Sequence, residues 1–240
     1  MSPPGERPGR RPSIAVIVPL WRESEPAALD SLSGDNIPDE LILVEVAGDA
    51  VTGAALDART AKIGIGPLPP RRLSAPRGRA AQMNRGARAA GADVLLFLHA
   101  DTRLPPGALA RVREVVAGGR AWGRFDVRLS GGAAVFRAIE WLMNWRSAVT
   151  GIATGDQAIF VRRDVFRMLG GFPAIPLMED IALSTRLKWV ERPARLRDRV
   201  VASSRRWERD GVARTVVRMW LLRGLYGIGV SPGRLAQWYK

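Results

Sequence analysis

Acidic residues follow three apolar segments in the first half of the chain, and a further acidic pair stands in the second half. Glu23, Glu45 and Asp101 each lie at or just beyond the end of a segment rich in Val, Ile and Leu. Glu179 and Asp180 directly precede a segment of helical character. Carboxylates can ligate a hard divalent cation or take a proton from an attacking hydroxyl, and they can equally cap helices or face solvent. Their chemistry therefore depends on whether the fold brings them together.

The apolar segments predict strands that alternate with helices. The predicted strands are Ile14–Val18, Glu40–Val46, Lys62–Ile65 and Val94–Leu98. The predicted helices are Pro26–Leu32, Thr52–Thr60, Ala80–Ala90 with Gly91 as its C-cap, and Pro106–Ala117. This alternation is typical of a parallel sheet with right-handed crossovers, in which ligands bind outside the carboxyl ends of the strands. We expect the three acidic residues of the first half at that edge.

The second half of the chain changes character but is not separated from the first by a linker or a repeat. Its predicted strands are Ala121–Leu129 and Ala158–Val161, and its predicted helices are Ala134–Trp145, Asp164–Leu169 and Ile181–Val190. We therefore expect a single domain over residues 13–240, made of the halves 13–120 and 121–240. Residues 1–12, rich in Pro, Gly and Arg, are expected to form a flexible leader.

The chain is strongly basic. Its 240 residues include 37 Lys and Arg against 23 Asp and Glu, a formal net charge of +14, and only three of the 37 are Lys. Such a surface suits nucleic acid, an anionic membrane or a phosphorylated small substrate, and it is equally compatible with simple solvation. Since Cys is absent, disulfides and thiolate chemistry are excluded. The single histidine, His99, excludes a site that needs two.

Segments that would enter or cross a membrane are not visible in the sequence. No apolar segment approaches the roughly 20 residues of a membrane-spanning helix. Residues 1–13 lack the apolar core of a secretory signal. These features predict a cytoplasmic protein.

Eight motifs, in order and with suitable spacing, resemble those of family 2 glycosyltransferases. They are VPLWRE (18–23), ELILVEVAGD (40–49), PRGRAAQMNRGA (76–87), LLFLHADTRLP (95–105), TGDQAIFVRRDVFRMLGGF (154–172), PLMEDIALSTRL (176–187), SRRW (204–207) and LYGIGVSP (225–232). More narrowly, the chain is similar to the compact bacterial subgroup called radical-SAM/selenodomain-associated transferase 2. The resemblance covers about residues 13–239. It implies a GT-A fold, which is an α/β, Rossmann-like domain with a mostly parallel central sheet flanked by helices and a C-terminal helical segment.

The resemblance implies inverting transfer of a sugar from a nucleoside diphosphate donor to an acceptor hydroxyl. Residues 13–120 would then bind the nucleotide sugar, and residues 121–240 the acceptor. Asp101 occupies the last acidic position of the family's DxD-type motif and is the expected ligand of Mn²⁺ or Mg²⁺. Such a cation can neutralise the leaving diphosphate, which itself supplies further oxygen ligands. His99 replaces the first acidic residue of the motif, where it can ligate the metal, contact phosphate or pack at the strand end.

On the acceptor side, the resemblance gives Asp180 the role of general base. The base takes the proton of the acceptor hydroxyl as its oxygen attacks the anomeric carbon. Glu179 would orient the acceptor or the base. The pair can also serve as an N-cap of the helix Ile181–Val190, and a cap position would fix where the carboxylate points.

Further polar and aromatic residues complete the expected pockets. The expected donor contacts are Glu23, Glu45, Arg79, Gln82 and Arg206, and the expected acceptor contacts are Gly155, Asp156, Gln157 and Trp207. Glu45 stands where Asp is commoner in the family, and Asp49 in the loop that follows is a weaker candidate. Alternatives remain for several of these side chains: Gln82 and Asn84 can form a solvent face, Asp156 a turn, and Trp207 part of the core.

The segment Thr215–Arg223 mixes apolar residues with arginines, within a stretch 186–223 that holds 12 basic and 4 acidic residues. Such a helix can lie on a membrane that carries the acceptor, a lipid for example, or it can pack normally with extended arginines. The first alternative places the protein at the inner face of the membrane through its C-terminal basic helices.

Two other functions compete with glycosyl transfer. A nucleotidyltransferase on a similar sheet would need a glycine-rich loop after the first strand, and residues 19–25 contain no Gly. A nucleic-acid-binding protein would show steeply salt-dependent binding, but the sequence contains neither an aromatic-studded strand motif nor a zinc module. No nucleic-acid partner is therefore expected.

Overall fold

The computed structural model describes residues 10–60 and 69–239. The predicted strand Lys62–Ile65 and residues 1–9 of the expected leader lie outside this range. The described residues form an eight-stranded sheet with helices on both faces, followed by a group of C-terminal helices.

The strands are β1 (Ile14–Leu20), β2 (Glu40–Val46), β3 (Arg71–Ala75), β4 (Val94–Phe97), β5 (Thr102–Arg103), β6 (Trp122–Leu129), β7 (Phe160–Arg162) and β8 (Ala194–Ala202). Their order across the sheet is β3-β2-β1-β4-β7-β6-β8-β5. The pairs among β1 to β4 are parallel, and so is the pair of β6 and β8. β7 runs antiparallel to both of its neighbours, and β5 runs antiparallel to β8.

The helices are α1 (Ala27–Asp30), α2 (Ala50–Thr60), α3 (Arg79–Ala89), α4 (Ala108–Ala117), α5 (Ala134–Thr150), α6 (Arg163–Met168), α7 (Glu179–Leu187), α8 (Arg205–Asp210), α9 (Val212–Gly227) and α10 (Pro232–Trp238). Short 3₁₀ helices cover Gly34–Asn36 and Gly155–Gln157. The strands and helices of the first half alternate as the sequence predicts.

The central strands are buried on both faces of the sheet. All seven residues of β1 and all four of β4 are buried, as expected for apolar strands that helices cover on both sides. Alternate residues of β1 enter different cores: Val16 and Val18 pack on one face, and Ala15 and Ile17 on the other. The carboxyl ends of β1 and β4 are thereby held at one rigid edge.

A third apolar cluster lies away from the sheet. It consists of Met178, Leu222 and Leu235, and it joins the start of α7 to α9 and α10. The C-terminal helices are therefore attached to the segment that carries the predicted acidic pair.

The prediction of a mostly parallel α/β sheet is confirmed, whereas some local predictions are wrong. Gly91 is not the C-cap of α3, because the helix ends at Ala89 and Ala90 takes the cap position in an extended conformation. The backbone N–H of Gly91 instead donates to the Glu40 carboxylate, at 3.0 Å from Oε1. β3 and β8 were not predicted, because neither contains a continuous apolar run. β3 is a largely exposed strand at the sheet edge, and β8 alternates buried with charged residues.

Candidate active site

Two adjoining cavities lie at the carboxyl ends of β1 and β4. The first, of about 270 Å³, is lined by residues that follow β1, by the start of α3 and by the turn after β4. The second, of about 130 Å³, reaches from that turn to α7, α8 and α9. Arg79, His99 and Asp101 line both cavities, so the two form one continuous site.

Asp101 stands in a turn that is fixed from two sides. The N–H of Thr102 donates to the carbonyl of His99 at 3.0 Å, which closes the turn. The N–H of Ala28, at the start of α1, donates to the carbonyl of Ala100 at 2.8 Å. The Asp101 carboxylate is thereby positioned where the cavities meet, in line with the prediction that it lies at the strand edge.

His99 packs tightly between Asp101 and the 3₁₀ helix Gly155–Gln157. Its Nδ1 lies 3.3 Å from Oδ1 of Asp156, and the residue is only 7% exposed. A Cβ atom at Gly155 would approach both Cε1 and Nε2 of the imidazole to 2.3 Å, so glycine is required there. Nδ1 faces the carboxylate of Asp156 and is therefore the nitrogen that donates to it.

Asp156 is held in its ionised form. Burial opposes its charge, but the hydrogen bond and charge of His99, together with Arg79 and Arg223, outweigh that effect and lower its pKa from 3.8 to about 2. Asp156 lines the second cavity. The sequence singled out this residue for sugar contacts or for a turn, and the structure places it in a short helical turn with its carboxylate at the cavity.

The acidic pair lies in the first turn of α7. Asp180 accepts two backbone hydrogen bonds, from Gly155 N–H to Oδ2 at 2.8 Å and from Ile181 N–H to Oδ1 at 2.7 Å. The N-cap is Met178, with φ of 68°, so the predicted cap role of the pair is wrong. Burial, and then the neighbouring charge of Asp180, raise the pKa of Glu179 above its ordinary value.

Asp101 and Asp180 line the same second cavity. Arg79 projects between the two groups of carboxylates from the start of α3. Burial works against its charge, but Glu179 and then Asp156 raise its pKa. The site thus combines carboxylates with a guanidinium group that their field stabilises.

Two predicted polar contacts serve as structural braces. The amide nitrogen of Gln82 donates to the carbonyls of Leu20 and Val44, each at 2.7 Å, and so ties the ends of β1 and β2 together. Although Gln82 lines the first cavity, both of its amide protons are therefore engaged. Asn84 makes two hydrogen bonds with the backbone of Phe172, at 2.8 and 3.0 Å. A solvent face, the alternative for these two residues, is wrong for Gln82, which is buried.

The two glutamates predicted for the donor lie in different surroundings. Glu23 lines the first cavity, and burial raises its pKa in spite of Arg205, whose Nη2 lies 3.7 Å from Oε1. Glu45 is paired with Arg72 of β3 at 3.3 Å and is not among the described residues that line the two cavities. Asp49 accepts a hydrogen bond from the backbone N–H of Arg22 at 2.6 Å, which secures the loop after β1.

Gln157 is fully buried beneath the second cavity and is likewise not part of its described lining. Its amide oxygen accepts the backbone N–H of Thr154 at 3.1 Å, an arrangement that stabilises the turn carrying Gly155.

The C-terminal helices close the second cavity. Arg206 and Trp207 of α8 both line it. The Arg206 guanidinium donates to the hydroxyl of Tyr239 and lies 4.6 Å from the centre of its ring. Trp207 also packs against the main core, which is the alternative that the sequence left open beside its predicted acceptor contact.

Several lining residues were missed in the sequence. Trp21 and Arg77 form the mouth of the first cavity, with the Arg77 guanidinium carbon 3.8 Å from the centre of the indole ring. Thr215, Met219 and Arg223 of α9 line the second. Trp21 stands inside a recognised motif, directly before Arg22 and Glu23, but nothing local links α9 to a cavity formed largely by residues at 154–180.

Backbone strain is concentrated around the two cavities. In the described ranges, the non-glycine residues with positive φ are Arg22, Ala158 and Met178. One follows β1 beside the first cavity, one ends the 3₁₀ helix at Gly155–Gln157, and one precedes the acidic pair. Such conformations cost free energy and persist where the surrounding structure imposes them, which is typical of functional sites.

A divalent cation would find few protein ligands in this site. The described part of the chain contains no cluster of three or more His, Asp or Glu side chains that could hold a metal ion by itself. Asp101 offers a hard oxygen ligand, and His99 offers Nε2. Mg²⁺ and Mn²⁺ accept such sparse protein ligation when a bound diphosphate completes their coordination, so the residues fit a metal that arrives with its nucleotide.

The α/β sheet, with its site at the carboxyl ends of the central strands, defines a GT-A glycosyltransferase fold. The sequence model of Glycosyl transferase family 2 matches residues 28–169, which is more than half of the chain. The chain belongs to this family. None of the curated proteins matches it in sequence.

Solved structures share the fold at low sequence identity. The crystal structure of S. aureus TarS 1-349 in complex with UDP aligns with a TM-score of 0.63 at 17% identity, over 80% of this chain and 60% of that one. The mannosyltransferase PcManGT from Pyrobaculum calidifontis, in complex with GDP-Man and Mn²⁺, aligns with a TM-score of 0.61 at 21% identity, over 81% of this chain and 57% of that one. The chain thus spans about three fifths of the length of these structures.

The helices contain no candidate for a membrane span. Across residues 10–60 and 69–239, none is both long enough and apolar enough to cross a bilayer.

Proposed function

We propose that the protein is an inverting glycosyltransferase that transfers a sugar from a nucleoside diphosphate donor to an acceptor hydroxyl. The observation that carries this proposal is the common cavity of Asp101 and Asp180. A metal-binding carboxylate and a proton-accepting carboxylate must face the same sugar from two sides for in-line displacement with inversion. Family membership supports the reaction class, and the geometry supports the assignment of residues.

The donor is assigned to the first cavity. Trp21 and Arg77 offer an aromatic surface and a guanidinium group at its mouth, and Glu23 offers a carboxylate that can accept hydrogen bonds from ribose or base. Glu45 remains a predicted donor contact only if its ion pair with Arg72 opens. The bound UDP of TarS and the bound GDP-Man of the mannosyltransferase support a nucleotide in this fold.

The diphosphate is assigned to the junction of the cavities, where Asp101 would hold Mn²⁺ or Mg²⁺. A cation there neutralises charge on the leaving diphosphate. Arg79, whose charge the carboxylates stabilise, lies beside this junction and can contact the same oxygens. His99 lines both cavities at the junction and is held in orientation by Asp156.

Asp180 is assigned as the general base. Its two backbone hydrogen bonds fix the carboxylate while leaving lone pairs on both oxygens to accept the proton of the attacking hydroxyl. Glu179 lines the same cavity beside Asp180 and is assigned to orient the acceptor. Asp156 and Trp207 offer a carboxylate and an aromatic surface to acceptor hydroxyls.

The test is a thermal-shift screen of UDP-, GDP- and dTDP-sugars with and without Mn²⁺. One of these nucleotides should stabilise the protein by about 2.7 kcal/mol at a hundredfold excess over its dissociation constant. The stabilisation should vanish in Asp101→Ala and remain in the control Asp35→Ala, an exposed residue of the 3₁₀ helix Gly34–Asn36. Stabilisation of Asp101→Ala equal to that of the wild type would refute the metal assignment, and release of pyrophosphate during turnover would indicate nucleotidyl transfer instead.

We also propose that α9 touches an anionic bilayer on the cytoplasmic side, where the acceptor is presented. Val217, Trp220 and Leu221 are exposed on α9, Trp220 by 62%. Residues 212–239 hold four Arg and no Asp or Glu, so this segment contributes only positive charge, although Arg218 is paired with Asp210 of α8. This combination is typical of helices that lie in the interface of anionic membranes. The narrower subgroup named by the resemblance also remains a proposal.

Vesicle co-sedimentation tests the membrane contact. The protein should bind vesicles that contain phosphatidylserine, and Trp220→Ser should reduce binding several-fold. Trp189→Ser, which removes an exposed Trp just beyond α7, is the matched control and should bind normally. Equal binding of both variants would count against α9 as the contact.

A further inference from the structure

Some arginines of this chain bury guanidinium nitrogens without hydrogen-bond partners. An unpartnered and buried Nε is found in Arg120, Arg124, Arg137, Arg146, Arg218 and Arg223. Four of these place another guanidinium nitrogen in an ion pair: Arg120 with Glu191, Arg124 with Asp126, Arg137 with Glu140 and Arg218 with Asp210. For Arg146 and Arg223, the described residues offer no ion pair and no side-chain hydrogen bond.

Arg146 and Arg223 are neighbours at the second cavity. Arg223 of α9 lines the cavity, whereas Arg146 of α5 is not part of its described lining and has both Nε and Nη2 buried and unpartnered. Burial, and then the positive charge of Arg223, lower the pKa of Arg146 to about 10. Asp180 and Asp156 attract Arg146 through their charges, but neither forms an ion pair with it, so an anion within hydrogen-bond distance would satisfy the buried nitrogens of both arginines.

The other arginines of this cavity are already engaged. The charge of Arg79 is matched by Glu179 and Asp156. Arg206 donates to Tyr239 and approaches Asp210. Arg146 and Arg223 differ from both, because they have guanidinium nitrogens that are buried without a hydrogen-bond partner.

We propose that Arg146 and Arg223 form a binding site for a phosphate group of the acceptor. The proposal rests on the proposed glycosyl transfer and names the class of acceptor, a hydroxyl compound that carries a phosphate monoester. Guanidinium groups bind phosphate oxygens through paired hydrogen bonds, and two of them match the nearly two negative charges of a monoester at neutral pH. Arg146 lies within the field of Asp180, so an anchored phosphate places its molecule beside the base.

The donor's own diphosphate does not account for these two residues. Neither arginine lines the first cavity, where Glu23, Trp21 and Arg77 are found. They belong to α5 and α9, whereas the proposed diphosphate position is at the turn of Asp101 after β4. An anion at Arg146 and Arg223 is therefore a second anion.

Isothermal titration with inorganic phosphate and with glycerol 3-phosphate tests the site. Arg223→Gln and Arg146→Gln should each raise the dissociation constant about tenfold or more, the effect of losing one charge-assisted hydrogen bond. Arg214→Gln is the matched control, because Arg214 is an exposed arginine of the same helix outside the cavity lining. Unchanged phosphate affinity in both test variants would overturn the proposal.

Thermal unfolding separates ligand binding from support of the fold. Arg146→Met keeps most of the packing volume and removes nitrogens that are buried without a hydrogen-bond partner, so in phosphate-free buffer it should unfold at the same temperature as the wild type or higher. Phosphate should then no longer raise its melting temperature. A variant that melts earlier yet keeps the full phosphate-induced rise would overturn the proposal.

Two further comparisons identify the source of the phosphate and separate this proposal from the proposed function. A preference for phosphatidic acid over phosphatidylserine vesicles at equal charge, lost in Arg223→Gln, would show a lipid phosphate. Arg223-dependent binding of glycerol 3-phosphate without that preference would show a soluble one, and neither result would overturn the site. Stabilisation by a nucleotide and Mn²⁺ should persist in Arg223→Gln. If no nucleotide stabilised the wild type or any variant, glycosyl transfer would be refuted. If a nucleotide does stabilise them, the phosphate titrations test the Arg146 and Arg223 site independently of glycosyl transfer.

Discussion

The two cavities are built in different ways. The first is formed at the ends of buried parallel strands, and its walls are tied by side-chain hydrogen bonds to the backbone, such as those from the Gln82 amide to the carbonyls of Leu20 and Val44. The second is formed between helices far apart in sequence, and it is held by charges and polar contacts, such as Gly155 to Asp180 and His99 to Asp156. The first cavity should therefore tolerate changes of charge better than changes of packing, and the second should show the opposite sensitivity.

The largest effect is expected at Asp180. Asp180→Asn removes the proton acceptor but keeps one acceptor oxygen, so sugar transfer should fall by about 10²–10⁴-fold while unfolding stability falls by about 1 kcal/mol at most. The rate of product formation and the melting temperature measure the two quantities. Asp198→Asn, which changes a carboxylate of β8 outside both cavity linings, should transfer sugar normally. Full activity of Asp180→Asn would sink the assignment of the base.

Gly155 marks a point where packing also matters in the second cavity. Gly155→Ala places a methyl group against the His99 ring, and the forced shift should cost about 1–3 kcal/mol of stability. It should also displace the N–H that orients Asp180. If steric conflict is the cause, His99→Ala in the same chain should restore part of the stability, a coupling that a double-mutant cycle measures. Additive effects of the two changes would contradict the close contact.

Gln82 tests the brace of the first cavity. Gln82→Ala leaves the carbonyls of Leu20 and Val44 without their donors, and the loss of stability should be about 1–3 kcal/mol. Chemical denaturation should measure the free energy of unfolding of this variant and of the control Arg85→Ala, which changes an exposed residue of the same helix. A variant as stable as Arg85→Ala would show that the brace contributes little.

The smallest effect concerns Asp156 in acid. Because its pKa in the folded protein, about 2, lies below the unfolded value of 3.8, its contribution to stability is present above pH 4 and is lost as the pH falls from about 4 to 2. Asp156→Asn should flatten the pH dependence of the free energy of unfolding in that window. Since the Asp156 side chain is 47% exposed, water weakens the effect. Identical slopes for the variant and the wild type would show that His99 does not stabilise the carboxylate.

The contrast between the two cavities also explains which parts of the fold could be predicted from the sequence: local apolar segments could, and contacts between distant residues could not. The strands Ile14–Leu20 and Glu40–Val46 are continuous apolar segments, and their period and length suffice to place them. Asp101 could be located because it directly follows such a strand. β8, by comparison, alternates apolar with charged residues, and its Arg195 is neutralised by Asp126, 69 positions earlier. Neutralisation of that kind depends on tertiary structure and leaves no local signal.

The candidate site shows the same difference between residues that local motifs reveal and contacts that only the fold reveals. Asp180 and Gly155 were recognised as members of motifs, but their direct hydrogen bond becomes visible only in the fold. Arg146 and Arg223 were not singled out, because an arginine on an amphipathic helix usually extends into solvent. What distinguishes them is the lack of partners in a buried position, a property of the packed structure alone.

Met178 links the start of α7 to the C-terminal helices α9 and α10. Its left-handed backbone starts the helix of Asp180, and its side chain belongs to the apolar cluster with Leu222 and Leu235. If Asp180 is the base as proposed, we expect a displacement of α9 to move the first turn of α7 and with it the carboxylate of Asp180. Binding at the outer helices and binding in the second cavity would then be thermodynamically coupled, and each would favour the other by the same free energy.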